Sequence, residues 1–440
     1  MIVNFSIKNY GSIKDTICLS FEATDSKELE EYYVIPVELS NGKSFSLLKL
    51  GLIYGANASG KTTILKALNF LRRIILKPLD NKDSTFNFEP FLLDNISSTQ
   101  ATSFTLEFIQ NKVKYLYEIQ LTKHAVTNEK LYIYNPSKSL VYERITNTEK
   151  QLTSISLGNK ISLKKEFLNS LEANTLWNNT VLGGFQKTNI DFKELHEVTV
   201  WFKDTLLPIV TPKTNLFSYV SSRIETKEIN KNNVISLLKK ADFNISDILI
   251  EETTRELNQN VLKQLWLLVE MKNNEEDTLD DIKKTNHIKE KRILLQHNIG
   301  NDSYSLKYEQ ESAGTQRYYQ FCGLLDLLIR KNKILPVDEV ECSLHPDLLK
   351  YFFLTFLTNS KQSQLILTTH FRELLLEKDI LRNDVIWFTE RKENGSTDLY
   401  SLDDFNTSVI RNTSSIYNAY KIGKLGATPN LGDYYIELDE

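Results

Sequence analysis

The sequence predicts an α/β fold in which a parallel sheet carries a phosphate-binding loop, joined to an antiparallel β-meander and an inserted helical domain. Gly55-Ala56-Asn57-Ala58-Ser59-Gly60-Lys61-Thr62 is an unbroken G-x-x-x-x-G-K-[ST] pattern. It lies between the apolar run Leu50–Tyr54, which reads as a buried strand, and a helix with Ile64, Leu65, Leu68 and Leu71 at helical spacing. Two more apolar strands, Ile334–Glu339 and Gln364–His370, end in groups able to work on a phosphate. Between the halves, residues 102–144 alternate in short pieces separated by polar turns, the pattern of a meander.

A chain of 440 residues is long enough for two or three compact units. The expected division is 1–145 (phosphate loop and meander), 146–300 (helical insertion) and 301–440 (second half of the nucleotide site). With 41% hydrophobic and 25% charged residues the composition is that of an ordinary globular protein. A formal net charge of -4 argues against nucleic-acid binding by bulk charge, while leaving room for a local basic patch. No apolar run reaches membrane-spanning length, and the N-terminus lacks a signal-peptide core, so the expected location is cytoplasmic with no membrane partner. Cys18, Cys322 and Cys342 are scattered and the six histidines lie at no ligand-like spacing. Neither a disulfide framework nor a zinc site is indicated, and the metal expected is magnesium carried in with the nucleotide.

Taken in order, residues 1–24 alternate around the turn Asn9-Tyr10-Gly11-Ser12 and read as a hairpin leading to the phosphate-loop strand. The helix after the loop stops near Pro78. The meander is expected as Phe104–Ile109, Lys114–Leu121, Ala125–Tyr132 and Leu140–Arg144. From 146 to 300 the spacing turns helical in Ile161–Leu171, Leu195–Leu206, Val234–Ala241 and Leu257–Val269. The acidic run Glu275-Glu276-Asp277 to Asp280-Asp281 reads as a solvated loop. Lys227, Lys231, Lys239 and Lys240 read as solvated surface rather than a nucleic-acid site.

In the loop, the glycines let successive N–H groups of residues 55–63 (Gly55, Ala56, Asn57, Ala58, Ser59, Gly60, Lys61, Thr62, Thr63) converge on phosphate oxygens, and the helix adds its positive end. Lys61 is expected to reach the β- and γ-phosphates of ATP, and the Thr62 hydroxyl to ligate Mg2+. The competing reading is an ordinary glycine-rich turn. Some 250 residues further on, Glu311-Ser312-Ala313-Gly314-Thr315 opens an amphipathic helix. Ser312, Ala313 and Gly314 offer a hydroxyl and bare amides to an anion, although a serine there is equally a helix cap. Asp338 is expected to hold the magnesium shell and Glu339 to orient or deprotonate the attacking water; the alternative is a strand end with two solvated acids. Pro336 gives up a ladder bond, so it calls for a bulge or a sheet edge. His370 at a strand end is placed to bond the γ-phosphate, and His345 is a candidate for a subunit contact.

Phosphate loop, Ser-x-Gly helix, Asp-Glu strand and strand-end histidine, in that order, resemble the ABC-type ATPases. Asn9-Tyr10-Gly11-Ser12-Ile13-Lys14-Asp15 and the long insertion resemble the SMC and RecF branch. Glu311–Thr315, Asp338–Pro346, Thr368-Thr369-His370 and Asp384–Phe388 are similar to stand-alone ATPases of bacterial abortive-infection and anti-phage modules, of AbiL, PARIS or Septu type. Gly423–Pro429 is similar to that group's Gly-x-Tyr-Gly-Ala-x-Pro stretch, with Leu425 in place of the aromatic residue. The resemblance implies a head-to-tail homodimer or higher oligomer in which Ser312, Ala313 and Gly314 of one copy close over ATP held by the other. It implies slow ATP hydrolysis through Lys61, Glu339 and His370, with no nuclease in this chain. It further implies a separately encoded effector, expected to be a nuclease, with nucleic acid or a phage protein as a candidate further partner. The alternative is a RecF- or SMC-like clamp on DNA ends or gaps. A loop glutamine that contacts magnesium in such enzymes has Gln100 as a candidate here.

Overall fold

A computed structural model describes residues 1–256, 287–377, 379–405 and 416–429. The expected helix Leu257–Val269 and the acidic run from Glu275 lie outside the described residues. The chain divides into two compact units, Met1–Thr214 with Leu328–Glu440, and Asn215–Leu327.

In the first unit, β1 (Ile2–Lys8) and β2 (Ile17–Ser20) form the N-terminal hairpin, followed by the short helix α1 (Glu30–Tyr33) and the antiparallel pair β3 (Val34–Glu38) and β4 (Ser44–Leu48). Strand β5 (Leu50–Gly55) leads through the phosphate loop into α2 (Lys61–Leu76). Strands β6 (Thr102–Gln110), β7 (Val113–Leu121), β8 (Val126–Tyr134), β9 (Lys138–Asn147) and β10 (Leu152–Leu157) make the meander, and helices α3 (Lys165–Asn174), α4 (Val181–Gln186) and α5 (Lys193–Val200) follow.

In the second unit are α6 (Phe217–Glu225), α7 (Lys231–Lys240), β11 (Ile245–Glu256), β12 (His287–Ile299), β13 (Asp302–Lys307) and the start of α8 (Ala313–Arg330). Strands β11, β12 and β13 form a three-stranded antiparallel sheet. Helices α6 and α7 fall in the expected helical block, while the strands of this sheet are not among the elements expected there. The chain then returns to the first unit with β14 (Ile334–Val337), α9 (Pro346–Asn359), β15 (Gln364–Thr368), β16 (Ile386–Arg391), β17 (Thr397–Ser401) and α10 (Ile416–Lys421).

Two sheets organise the first unit. The meander joins the N-terminal hairpin in a seven-stranded antiparallel sheet of order β10-β9-β8-β7-β6-β1-β2. It carries one strand more than the four-piece pattern predicts, because Leu152–Leu157 keeps pairing with β9. The second sheet has the order β14-β15-β5-β16-β17, parallel except for β17. Strand β5 is buried along its whole length, as a run flanked on both sides must be. Helix α2 buries Ile64, Leu65, Leu68, Leu71, Ile74 and Ile75, each contributing about 1.5–3 kcal/mol if fully removed from water.

Pro336 sits on the sheet edge. Its carbonyl and that of Ile334 face the segment beside the strand, accepting from the Val210 and Leu207 amides at 2.9 Å each. The proline nitrogen lies on that same side, so no ladder bond to β15 is lost. The result is an α/β fold with a P-loop, an antiparallel meander and inserted helices.

Candidate functional site

Parallel register sets the site. Val337 pairs with Leu367, and Leu367 with Leu52, so Asp338, Thr368 and Ile53 lie at one level near the carboxyl ends of the strands. Ligands of open parallel sheets bind at this carboxyl edge.

The loop is held in a conformation that suits glycine. Gly60 has φ +106°, and a Cβ there would lie 2.1 Å from Thr397 Oγ1. A Cβ on Gly55 would lie 2.3 Å from Thr389 Oγ1. Hydroxyls brace the loop from outside. Thr389 and Ser59 are 2.6 Å apart, and Thr397 donates to Ser12 (2.8 Å), which donates to Thr63 (3.1 Å). The turn at residues 9–12 therefore touches the phosphate loop directly.

Lys61 is buried and folds back, donating to the carbonyls of Gly55 at 2.8 Å and Ala56 at 3.0 Å. Burial lowers its pKa to about 8, partly offset by Asp338, Glu339 and Glu341. Thr62 donates to both carboxylate oxygens of Asp338, and Thr368 donates to one of them at 2.7 Å. A hydroxyl beside a carboxylate is the hard-oxygen donor pair that Mg2+ takes in nucleotide sites. The residues present fit that ion.

Glu339 is half-buried, and its N–H donates to Thr368 Oγ1 at 2.9 Å. Its φ of +48° is a left-handed value for a non-glycine residue, a strained setting that clusters at working sites. His370, exposed on one face, has its pKa lowered, first by burial and then by the positive charge of Lys61, so the neutral imidazole is favoured at neutral pH.

A cleft of about 1000 Å³ opens beside these groups. Its walls include Gly55, Ala56, Asn57, Ser59 and His370, together with Tyr420, Lys421 and Ala427–Pro429. The C-terminal stretch thus borders the nucleotide loop. Leu425 is fully buried within it and its carbonyl accepts from Tyr400 at 2.8 Å.

The remaining sequence candidates lie elsewhere. Ser312, Ala313 and Gly314 belong to the second unit, where Ser312 accepts from the Thr315 N–H at 3.1 Å and so caps α8, with Ser312 and Ala313 exposed. His345 is exposed and caps α9 through Nδ1, accepting from the Asp347 N–H at 3.2 Å. Gln100 is exposed, and its carbonyl receives the Asn9 amide at 2.9 Å. Lys231 pairs with Asp247 at 2.7 Å. Four residues at the site have no role assigned from the sequence, Thr368, Thr389, Thr397 and Glu341, although Thr368 and Glu341 lie within stretches that carry the resemblance. Each is an ordinary strand-end or turn residue until the topology sets it against the loop or the acids.

Residues 52–376, well over half of the chain, match the family model described as "AAA domain, putative AbiEii toxin, Type IV TA system". The chain belongs to this AAA-domain family. It is thus a P-loop ATPase of AAA type. No curated protein matches the sequence. Similar solved structures include the SMC head domain from Thermotoga maritima, at 14% identity and a TM-score of 0.39, covering 91% of this chain and 98% of that one. Another is an Smc head domain with an extended coiled coil, bound to the C-terminal domain of ScpA derived from Pyrococcus furiosus. It has 13% identity and a TM-score of 0.38, covering 96% of this chain and 98% of that one. Among the described residues no helix is long and apolar enough to cross a membrane.

Proposed function

We propose that this AAA-family chain binds ATP with magnesium, hydrolyses it slowly, and uses the nucleotide to gate an assembly of an anti-phage defence module. The observation that carries the reading is the cluster of Lys61, Thr62, Asp338 and Glu339 at one sheet edge. Residues 55–63 bind and orient the triphosphate, with Lys61 exchanging two loop carbonyls for phosphate oxygens. Thr62 and Asp338 hold Mg2+, which when bound neutralises phosphate charge. Glu339 orients the attacking water and accepts its proton. His370 donates a hydrogen bond to the terminal phosphate.

Gating follows if the Ser312, Ala313 and Gly314 turn of one copy completes the phosphate cage of another, because hydrolysis then removes contacts that favour the closed pair. Exposure of Ser312 and Ala313 supports that reading. No cluster read from the sequence suggests nuclease chemistry in the chain, so the damaging step is assigned to a separately encoded effector, a nuclease in the first instance. The family description, which names a toxin of a toxin–antitoxin system, supports a defence setting.

The test is purification of Glu339→Gln from its native operon with neighbouring genes present and ATP added. Copurification of a nuclease subunit supports the defence reading. Recovery of salt-sensitive DNA alone overturns it in favour of a DNA clamp.

A further inference from the structure

We propose that Glu341 is a positioning residue for hydrolysis, tying the strand end that carries His370 to the strand end that carries Asp338 and Glu339. The proposal rests on the hydrolytic reading above. After Asp338 the chain makes a tight turn. The Cys342 N–H donates to the Glu339 carbonyl (3.0 Å) and the Leu344 N–H to the Glu341 carbonyl (2.9 Å), while Val340 is buried and donates to the Thr368 carbonyl at 3.1 Å. This turn aims the Glu341 side chain at β15.

Both of its oxygens are engaged there. Oε2 accepts from the Thr369 hydroxyl at 2.8 Å and Oε1 from the His370 backbone N–H at 2.7 Å. A carboxylate accepting from a main-chain N–H makes a short, charge-assisted bond, and this one fixes the peptide from which the imidazole departs. Asp338 meets the same strand one residue earlier through Thr368, and Glu339 through its own N–H. The three acids of residues 338–341 therefore divide the work. Asp338 faces Thr62, Glu339 keeps its carboxylate for water, and Glu341 spends its own on the histidine strand. Glu341 turns its two oxygens to Thr369 and His370 rather than to Thr62, so the metal is assigned to Asp338 and the water to Glu339. The contribution of Glu341 is alignment, and a misplacement of about 1 Å near a reacting centre costs about 100-fold in rate.

The experiment measures phosphate release from Mg-ATP by the full-length chain for wild type, Glu341→Ala, Glu341→Gln and Glu339→Gln. Glu341→Ala is expected to lower kcat by about 10- to 100-fold with KM within about twofold, the signature of alignment lost without binding lost. Glu341→Gln, which keeps one acceptor oxygen, is expected to fall between. An unchanged kcat, or a rise in KM with kcat intact, overturns the proposal. If Glu341→Ala does not fold, Thr369→Val, which removes the hydroxyl bond, and Glu341→Gln, which removes the carboxylate charge, carry the same test. Absence of phosphate release from wild type, or a wild-type rate for Glu339→Gln, overturns the hydrolytic reading itself. An active wild type that is sensitive at Glu339 and indifferent at Glu341 overturns this inference alone.

Discussion

The hydroxyl of Thr62 donates to Asp338 at 2.9 Å from one carboxylate oxygen and 3.0 Å from the other, across 276 residues of chain. Sequence motifs from opposite ends of the molecule thus meet in one hydrogen bond. Asp338→Asn keeps the shape and removes the charge a divalent ion needs. Nucleotide titrations with and without magnesium should show affinity falling about tenfold or more with the ion present and changing little without it. Equal losses in both would mean that Asp338 is structural.

Burial has lowered the Lys61 pKa to about 8. Phosphate oxygens raise it again on binding. Between about pH 8 and the bound-state value, the complex therefore holds more protons than the free protein, and affinity falls as pH rises. Calorimetry at about pH 8.5 in two buffers of different ionisation enthalpy should report proton uptake on ATP binding. Heats independent of buffer would contradict a buried, poised lysine.

Gly60→Ala combines a φ of +106° with a Cβ 2.1 Å from Thr397 Oγ1. The backbone strain alone costs about 1–3 kcal/mol, and the clash displaces the loop. ATP binding should fall by at least about 100-fold, measured by fluorescence of a nucleotide analogue. Thr397→Ala should restore part of it by removing Oγ1 and Cγ2. No restoration would show that the backbone, rather than Thr397, sets the requirement.

Glu129 lies fully buried in the meander, accepting from Tyr117 at 2.9 Å, Tyr142 at 2.6 Å and the Val181 N–H at 2.9 Å. Arg144, equally buried, shares that cluster and caps the carbonyls of Val126 and Trp177. Removing one partner leaves the other uncompensated, a loss of about 3–5 kcal/mol. Urea unfolding of Glu129→Ala should show a midpoint shift of that size with the slope unchanged; a loss under about 1 kcal/mol would mean the network is slack.

The phosphate loop, its helix and the two functional strands were legible because their signals are local, an apolar run followed at once by the residues that work. Pro336 narrowed its strand to a bulge or a sheet edge, since a missing N–H restricts where a strand can sit, and the strand order selects the edge. Strand β10 was not legible, because Leu152, Ser154 and Ser156 alternate over too short and too polar a stretch to stand out from the helical spacing that follows. The sheet of β11, β12 and β13 was masked likewise by the helical segments on its N-terminal side. Thr368, Thr389, Thr397 and Glu341 depend on which strands neighbour β5, and strand order is a property of the whole fold. In the sequence Ser12 is a turn residue, and its bond to Thr63 arises only when the hairpin packs against α2.

ATP held by Lys61, Thr62 and Asp338 is expected to draw two copies together, and hydrolysis at Glu339 to release them. Sedimentation of Glu339→Gln, followed by absorbance at 260 and 280 nm with Mg-ATP present, tests this in one run. Nucleotide should travel with a species of twice the monomer mass, reverting to the monomer when Ser312→Arg is added. Nucleotide travelling with a monomer would contradict it.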